Sequence, residues 1–100
     1  MAVFLLSFPK NEQTDALARA ILSLRSVEEC YAFFEDVCTI KEVLSMAQRL
    51  RVAELLAEGN SYQGVCEKTG ASSATVGRVK RCLDYGSGGY GMIIERQKGK

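Results

Sequence analysis

Apolar positions recur along most of this chain at the three- and four-residue intervals of an α-helix. Leu17, Ala20, Ile21 and Leu24 form one stripe, on a helix expected from about Glu12 to Leu24. Cys30, Phe33, Phe34 and Val37 repeat that spacing, and Tyr31 widens the stripe. Ser26 followed by Glu29 supplies a capping box for the start of this second helix. Thr39 with Glu42 forms another such box and opens the longest helix, Ile40 to Glu58, which stops at Gly59-Asn60. No stretch alternates with a period of two, and the only proline is Pro9, so the pattern predicts an all-α fold. In the long helix Val43, Leu44, Met46, Ala47, Leu50, Val52, Ala53, Leu55 and Leu56 cover more than half of the circumference. A helix that is apolar on most sides is buried on most sides. One chain of 100 residues has too few elements to cover this helix and the two before it, which predicts a homodimer with a shared core. A compact five-helix monomer is the alternative.

The pattern changes after Asn60. From Ser61 to Leu83 it reads as two short helices around a tight turn. Gly70 stands where a left-handed residue is needed, a conformation glycine enters without a Cβ penalty. Val65, Cys66, Val76 and Val79 can fill the small core between two helices crossing at a wide angle. Ser61 can cap the first helix, and Ser72 or Ser73 the second. The second helix begins with small residues (Ser72, Ser73, Ala74, Thr75, Gly77), which permit close approach to a groove. It continues into Arg78, Lys80 and Arg81, whose long side chains can reach phosphates. This is the form of a helix-turn-helix that reads DNA. A helical hairpin with a solvated basic face is the plainer alternative.

Charge distribution favours the DNA reading. The net charge is only +1. From Ser26 to Ala47, however, Glu28, Glu29, Glu35, Asp36 and Glu42 oppose only Lys41, whereas from Ser61 to Tyr85 the bases Lys68, Arg78, Lys80 and Arg81 outnumber Glu67 and Asp84. The last residues add Arg96, Lys98 and Lys100 against Glu95. Such a chain would meet a polyanion with one part only, and more weakly as salt rises.

Four cysteines (Cys30, Cys38, Cys66, Cys82) lack CxxC spacing, and there is no histidine, so no metal site is expected. Each lies on or beside an apolar stripe and reads as a small core residue in a reducing cytoplasm. The opening run MAVFLLSFPK is too short to span a membrane and reads as a mobile arm or as an extension packed on a partner. The absence of histidine, of a phosphate-cradling glycine loop and of a paired-carboxylate site argues against an enzyme.

The blocks LRSVEECYAFFEDVCTIKEV, AQRLRVAELLAEGNSY and GASSATVGRVKRCLDYGSGGY, in this order, resemble the small Trp-repressor-like proteins over about three-quarters of the chain. The resemblance implies an intertwined, all-helical homodimer acting as a transcriptional regulator on double-stranded DNA. It implies that Ser72, Ser73, Ala74 and Gly77 lie nearest base edges and that Arg78, Lys80 and Arg81 meet phosphates, Arg81 alternatively a guanine edge. Gln63 would fix the phosphate backbone. In the tryptophan-binding members the effector pocket is lined by residues that match Thr39, Arg49, Thr75 and Arg78. Where those members carry a glycine, this chain has Val79, which would crowd an indole. No cofactor is required by this reading. A small-molecule corepressor is compatible with it, and tryptophan itself fits poorly. Alternatively, Arg49 pairs with Glu54 or another acid, and Thr39 is only a helix cap.

The expected layout is one domain over residues 1–100. Residues 1–11 form an arm, 12–60 the dimerisation helices, 61–84 the helix-turn-helix and 85–100 a glycine-rich turn with a tail. The tail reads as too short for a closing helix after Gly89 and is expected as an extended arm or a single turn. The rival function is a helix-turn-helix fold kept as a protein-interaction module without DNA binding, with Phe33, Phe34 or the Tyr85 to Met92 stretch as the contact.

Overall fold

The computed structural model describes residues 8–99. They form six helices and, among the described residues, no strand: α1 (Glu12–Leu22), α2 (Val27–Val37), α3 (Ile40–Ala57), α4 (Tyr62–Thr69), α5 (Ser73–Tyr85) and α6 (Gly89–Lys98). The first seven residues of the expected arm lie outside the described part. No helix among the described residues is long and apolar enough to cross a membrane.

Side chains close the helix starts as the sequence suggests, with two differences. Thr39 and Glu42 form a complete reciprocal box: the Glu42 N–H donates to Thr39 Oγ1 at 3.1 Å and the Thr39 N–H donates to Glu42 Oε1 at 2.7 Å. That bond from the Thr39 backbone, with the one from its side chain, holds the Glu42 carboxyl below its ordinary range. At α2 the Glu29 N–H donates to Ser26 Oγ, but the Glu29 carboxylate accepts from the Arg25 N–H, one residue earlier than a capping box requires. The second difference is a box not foreseen. Asn11 caps α1 by accepting from the Thr14 N–H at 2.9 Å, while Thr14 Oγ1 accepts from the Asn11 N–H at 2.8 Å. Helix α1 also ends earlier than expected, because the Ser23 N–H bonds back to the Arg19 and Ala20 carbonyls and its hydroxyl donates to Ala20 as well.

The chain divides inside α3 into two compact units, whose described parts are residues 8–43 and 44–99. In the second unit one core joins four helices. Val52, Ala53 and Leu55 of α3, Val65 of α4, Ala71 of the turn, Val76 and Val79 of α5 and Ile94 of α6 are all buried, and Leu56, Cys66, Leu83 and Tyr90 pack against them. Each fully buried valine contributes on the order of 1.5–3 kcal/mol. In the first unit neither α1 nor α2 buries a single residue. Phe33 and Phe34 are half-buried, their rings 6.4 Å apart and tilted by 45°. Leu22 is 83% exposed, Ile40 is 81% exposed, and Val27 and Tyr31 are also exposed.

The tail differs from its expected form. After Gly88, whose φ of 96° is left-handed, residues Gly89–Lys98 make a ten-residue helix rather than an extended arm or a single turn. Ile94 holds it by inserting into the shared core. The cysteines differ too. Cys66 packs on the core, but Cys30 and Cys38 are only half-buried and Cys82 is exposed, all as free thiols.

Candidate nucleic-acid interface

The helix-turn-helix geometry follows from a few local bonds. Ser61 caps α4 by accepting from the Gly64 N–H at 3.0 Å. Gly70 ends α4 with φ of 74° and ψ of 4°, and its N–H bonds to the Cys66 carbonyl at 2.9 Å. This is a left-handed cap. Thr69, which the sequence reading missed, then locks the corner. Its hydroxyl donates to the Val65 carbonyl at 2.7 Å and accepts from the Ala71 N–H at 3.1 Å, while Gln48 on α3 donates to the Thr69 carbonyl at 3.2 Å. The signal available in the sequence was a threonine immediately before the turn glycine, a residue type that bonds back to backbone carbonyls. Ser72 caps α5, accepting from the Thr75 N–H at 3.1 Å, and its hydroxyl also lies 3.2 Å from Thr75 Oγ1.

With the corner fixed, the two faces of α5 separate. Val76 and Val79 point into the core, with Leu83 packed beside them. Ser72, Ser73, Ala74, Arg78 and Arg81 are exposed, and Gly77 and Lys80 are half-buried. Among the described residues Arg78 and Arg81 form no ion pair, whereas Lys80 Nζ lies 3.2 Å from Asp84 Oδ1. On α4, Gln63 is exposed and donates to Glu67 at 3.4 Å, and Lys68 donates to Asn60 Oδ1 at 2.8 Å. The arrangement is a rigid helix with a small-residue start, two free guanidiniums and a paired ammonium, held at a fixed angle by a tight core. It can approach a polyanion closely and neutralise its charge.

Four of the expected effector residues, Arg49, Thr75, Arg78 and Val79, belong to the unit of residues 44–99. Thr39 belongs to the unit of residues 8–43 and is occupied as a cap. Arg49 on α3 is half-buried, and the acid suggested for it, Glu54, is paired with Arg51 at 3.3 Å. Thr75 is half-buried beside Ser72, Arg78 is exposed, and Val79, 1% exposed, is a core residue. An apolar cavity of about 480 Å³ does exist in this unit, but Leu50, Cys82, Tyr90, Met92 and Ile93 line it together with the glycines after α5, and none of the five expected residues does. Among the described residues no group of three His, Cys, Asp or Glu side chains could hold a metal.

The family model for the Trp repressor protein matches residues 12–98, from the first residue of α1 to the last of α6. The chain belongs to the Trp repressor family. Within that family it is 53% identical over 89 residues to the uncharacterized protein YerC of Bacillus subtilis (strain 168), a match covering 89% of this chain and 86% of YerC. It also superposes on the crystal structure of a TrpR like protein from Eubacterium eligens ATCC 27750 with a TM-score of 0.86. That pair is 50% identical, and the match covers 89% of this chain and 92% of the other. Because the Trp repressor family match ends at Lys98, it includes α6, the helix that stands where the sequence pattern predicts a tail.

Proposed function

We propose that this protein is a sequence-specific, DNA-binding transcriptional regulator of the repressor type, working as a homodimer. The observation that carries the reading is the free cationic face of α5: Arg78 and Arg81 are exposed and not ion-paired among the described residues, while Val76 and Val79 anchor the opposite face in the core. Membership of the Trp repressor family supports it. Ser73, Ala74 and Gly77 are the candidates for base edges, Arg78 and Arg81 for phosphates, and Gln63 for the backbone alongside. Few of these side chains can make paired bonds to a base, so specificity would come from water bridges and duplex shape.

The dimer rests on the first unit. Helices α1 and α2 have no fully buried residue, and Leu22 and Ile40 stand almost fully in solvent. Large apolar side chains this exposed, with Val27 and Tyr31 also in solvent, are the kind that a second copy covers. For an effector, Arg49, Thr75, Arg78 and Thr39 remain the candidate contacts. The burial of Val79 supports a core role for it over contact with a ligand.

Fluorescence anisotropy on labelled genomic promoter fragments, repeated across a salt series, tests the DNA reading. Arg78→Ala combined with Arg81→Ala should weaken binding and reduce the slope of log K against log salt by about two per protomer. Unchanged affinity and slope would overturn the assignment. The rival, an interaction module using the strongly exposed Tyr85, predicts no salt-sensitive binding to any fragment.

A further inference from the structure

Helix α5 carries one acidic residue, Asp84, and it lies in the helix's last turn. For helix stability this is the wrong end. The carbonyl terminus of a helix carries partial negative charge and favours cations, and α5 has no base in that turn. The pair it forms with Lys80, Nζ to Oδ1 at 3.2 Å, also runs in the weaker order, with the base on the N-terminal side of the acid. Both side chains are about 40% exposed (42% and 41%), so water screens them and the pair adds little to folding.

The position makes more sense on the outer face. Ser73, Gly77, Lys80 and Asp84 follow one another at intervals of four, three and four residues, so they form one stripe along α5. Val76, Val79 and Leu83 form the neighbouring, core-facing stripe. Asp84 therefore continues the row that begins with two candidate base-edge residues. It also occupies the one cation of this cluster, Lys80, that is not free.

We infer that Asp84 is an affinity- and specificity-setting residue. It holds the Lys80 ammonium in an internal pair, so that a duplex gains this phosphate contact only by displacing a carboxylate. The inference rests on the DNA-binding reading above. In the free protein Lys80 is already neutralised, and its transfer to a phosphate exposes an uncompensated carboxylate beside the DNA backbone. The exchange gives little net affinity to a duplex of arbitrary sequence. A duplex whose shape presses the phosphate against Lys80 gains more, and the difference disfavours non-specific binding.

The test is a double-mutant cycle of Asp84→Asn and Lys80→Ala, read by anisotropy on a promoter fragment and on a scrambled duplex across a salt series. D84N is expected to tighten binding about two- to fivefold at low salt. It should steepen the salt slope by about 0.9 per protomer, the signature of one newly free phosphate contact. The gain should be larger on the scrambled duplex, and it should largely vanish in the K80A background. The melting temperature of D84N should stay within a degree or so of wild type, since the pair contributes little to the fold. D84N binding with wild-type affinity and slope overturns the inference while leaving the DNA reading intact. So does an equal gain with and without Lys80, which would mean a general charge effect. If neither wild type nor D84N binds any duplex in a salt-dependent way, the DNA reading fails and the inference falls with it.

Discussion

The two units of this chain are built from similar residues and reach opposite ends. In residues 44–99 short apolar faces meet one another, and eight residues from three helices, a turn and a closing helix form one core. In residues 8–43 the stripes are as regular and the side chains larger, with Phe33, Phe34, Tyr31 and Ile21 among them, yet α1 and α2 have no buried residue. Apolar periodicity thus specifies a face in both units. Only the second finds that face's partner within the same chain. Self-sufficiency suits the unit carrying the candidate DNA surface, because a reading helix must be held rigidly before it meets its target.

The contrast can be broken most forcefully in the first unit. Ile40→Glu, at a site exposed in the chain, should leave an isolated chain folded but place an unpaired charge in the proposed dimer interface, at a cost of about 3–5 kcal/mol. Sedimentation velocity should show the shift to monomer, and a melting temperature that no longer depends on protein concentration should accompany it. A dimer that persists unchanged would place the interface elsewhere. In the second unit Val76→Ala removes two carbons from a fully buried site. It should cost about 2–3 kcal/mol by urea unfolding, and equally at every protein concentration. Gly70→Ala should cost about 1–2 kcal/mol, entirely through the backbone. The smallest effect returns to the first unit. The folded Glu42 carboxyl is held below its ordinary range by the Thr39 N–H, so its stabilising contribution is present above that range and is lost as pH falls through the lowered folded value. Glu42→Gln should flatten that acid limb in a pH series of melting temperatures.

Much of the fold was legible from side chains that act locally. Ser61, Thr39 and the left-handed glycines at 59 and 70 set boundaries through bonds spanning three or four residues, and these came out within a residue or two. Helix α6 did not. Its start has no side-chain cap, and glycines at 89 and 91 lower its helical propensity. It forms because Ile94 reaches a core assembled by α3, α4 and α5, a non-local gain that no window of sequence displays. The usable hint was the spacing of Tyr90, Ile93 and Ile94, with Arg96 and Lys98 in the last turn. At the candidate site, the exposure of Arg78 and Arg81 followed from the periodicity of α5. The capture of Lys80 by Asp84 did not, because the sequence gives proximity without saying which cation an acid will hold. The burial of Val79 was legible too, since the spacing of Val65, Cys66, Val76 and Val79 marks the core face of the hairpin.

The corner at Gly70 has a consequence for stereochemistry. Beyond its two chain neighbours, a Cβ there would meet nothing within 4 Å, so space is not what excludes a side chain. The constraint is the φ of 74° alone, which is unfavourable for an L-residue and natural for its mirror image. For a D-alanine the backbone angle itself carries no penalty, and the substitution would narrow the unfolded ensemble, adding about 0.4–1 kcal/mol. The angle at which α5 is presented therefore depends on a left-handed backbone at one position, and glycine, whose α-carbon has no handedness, is the genetically encoded residue that takes it without a penalty.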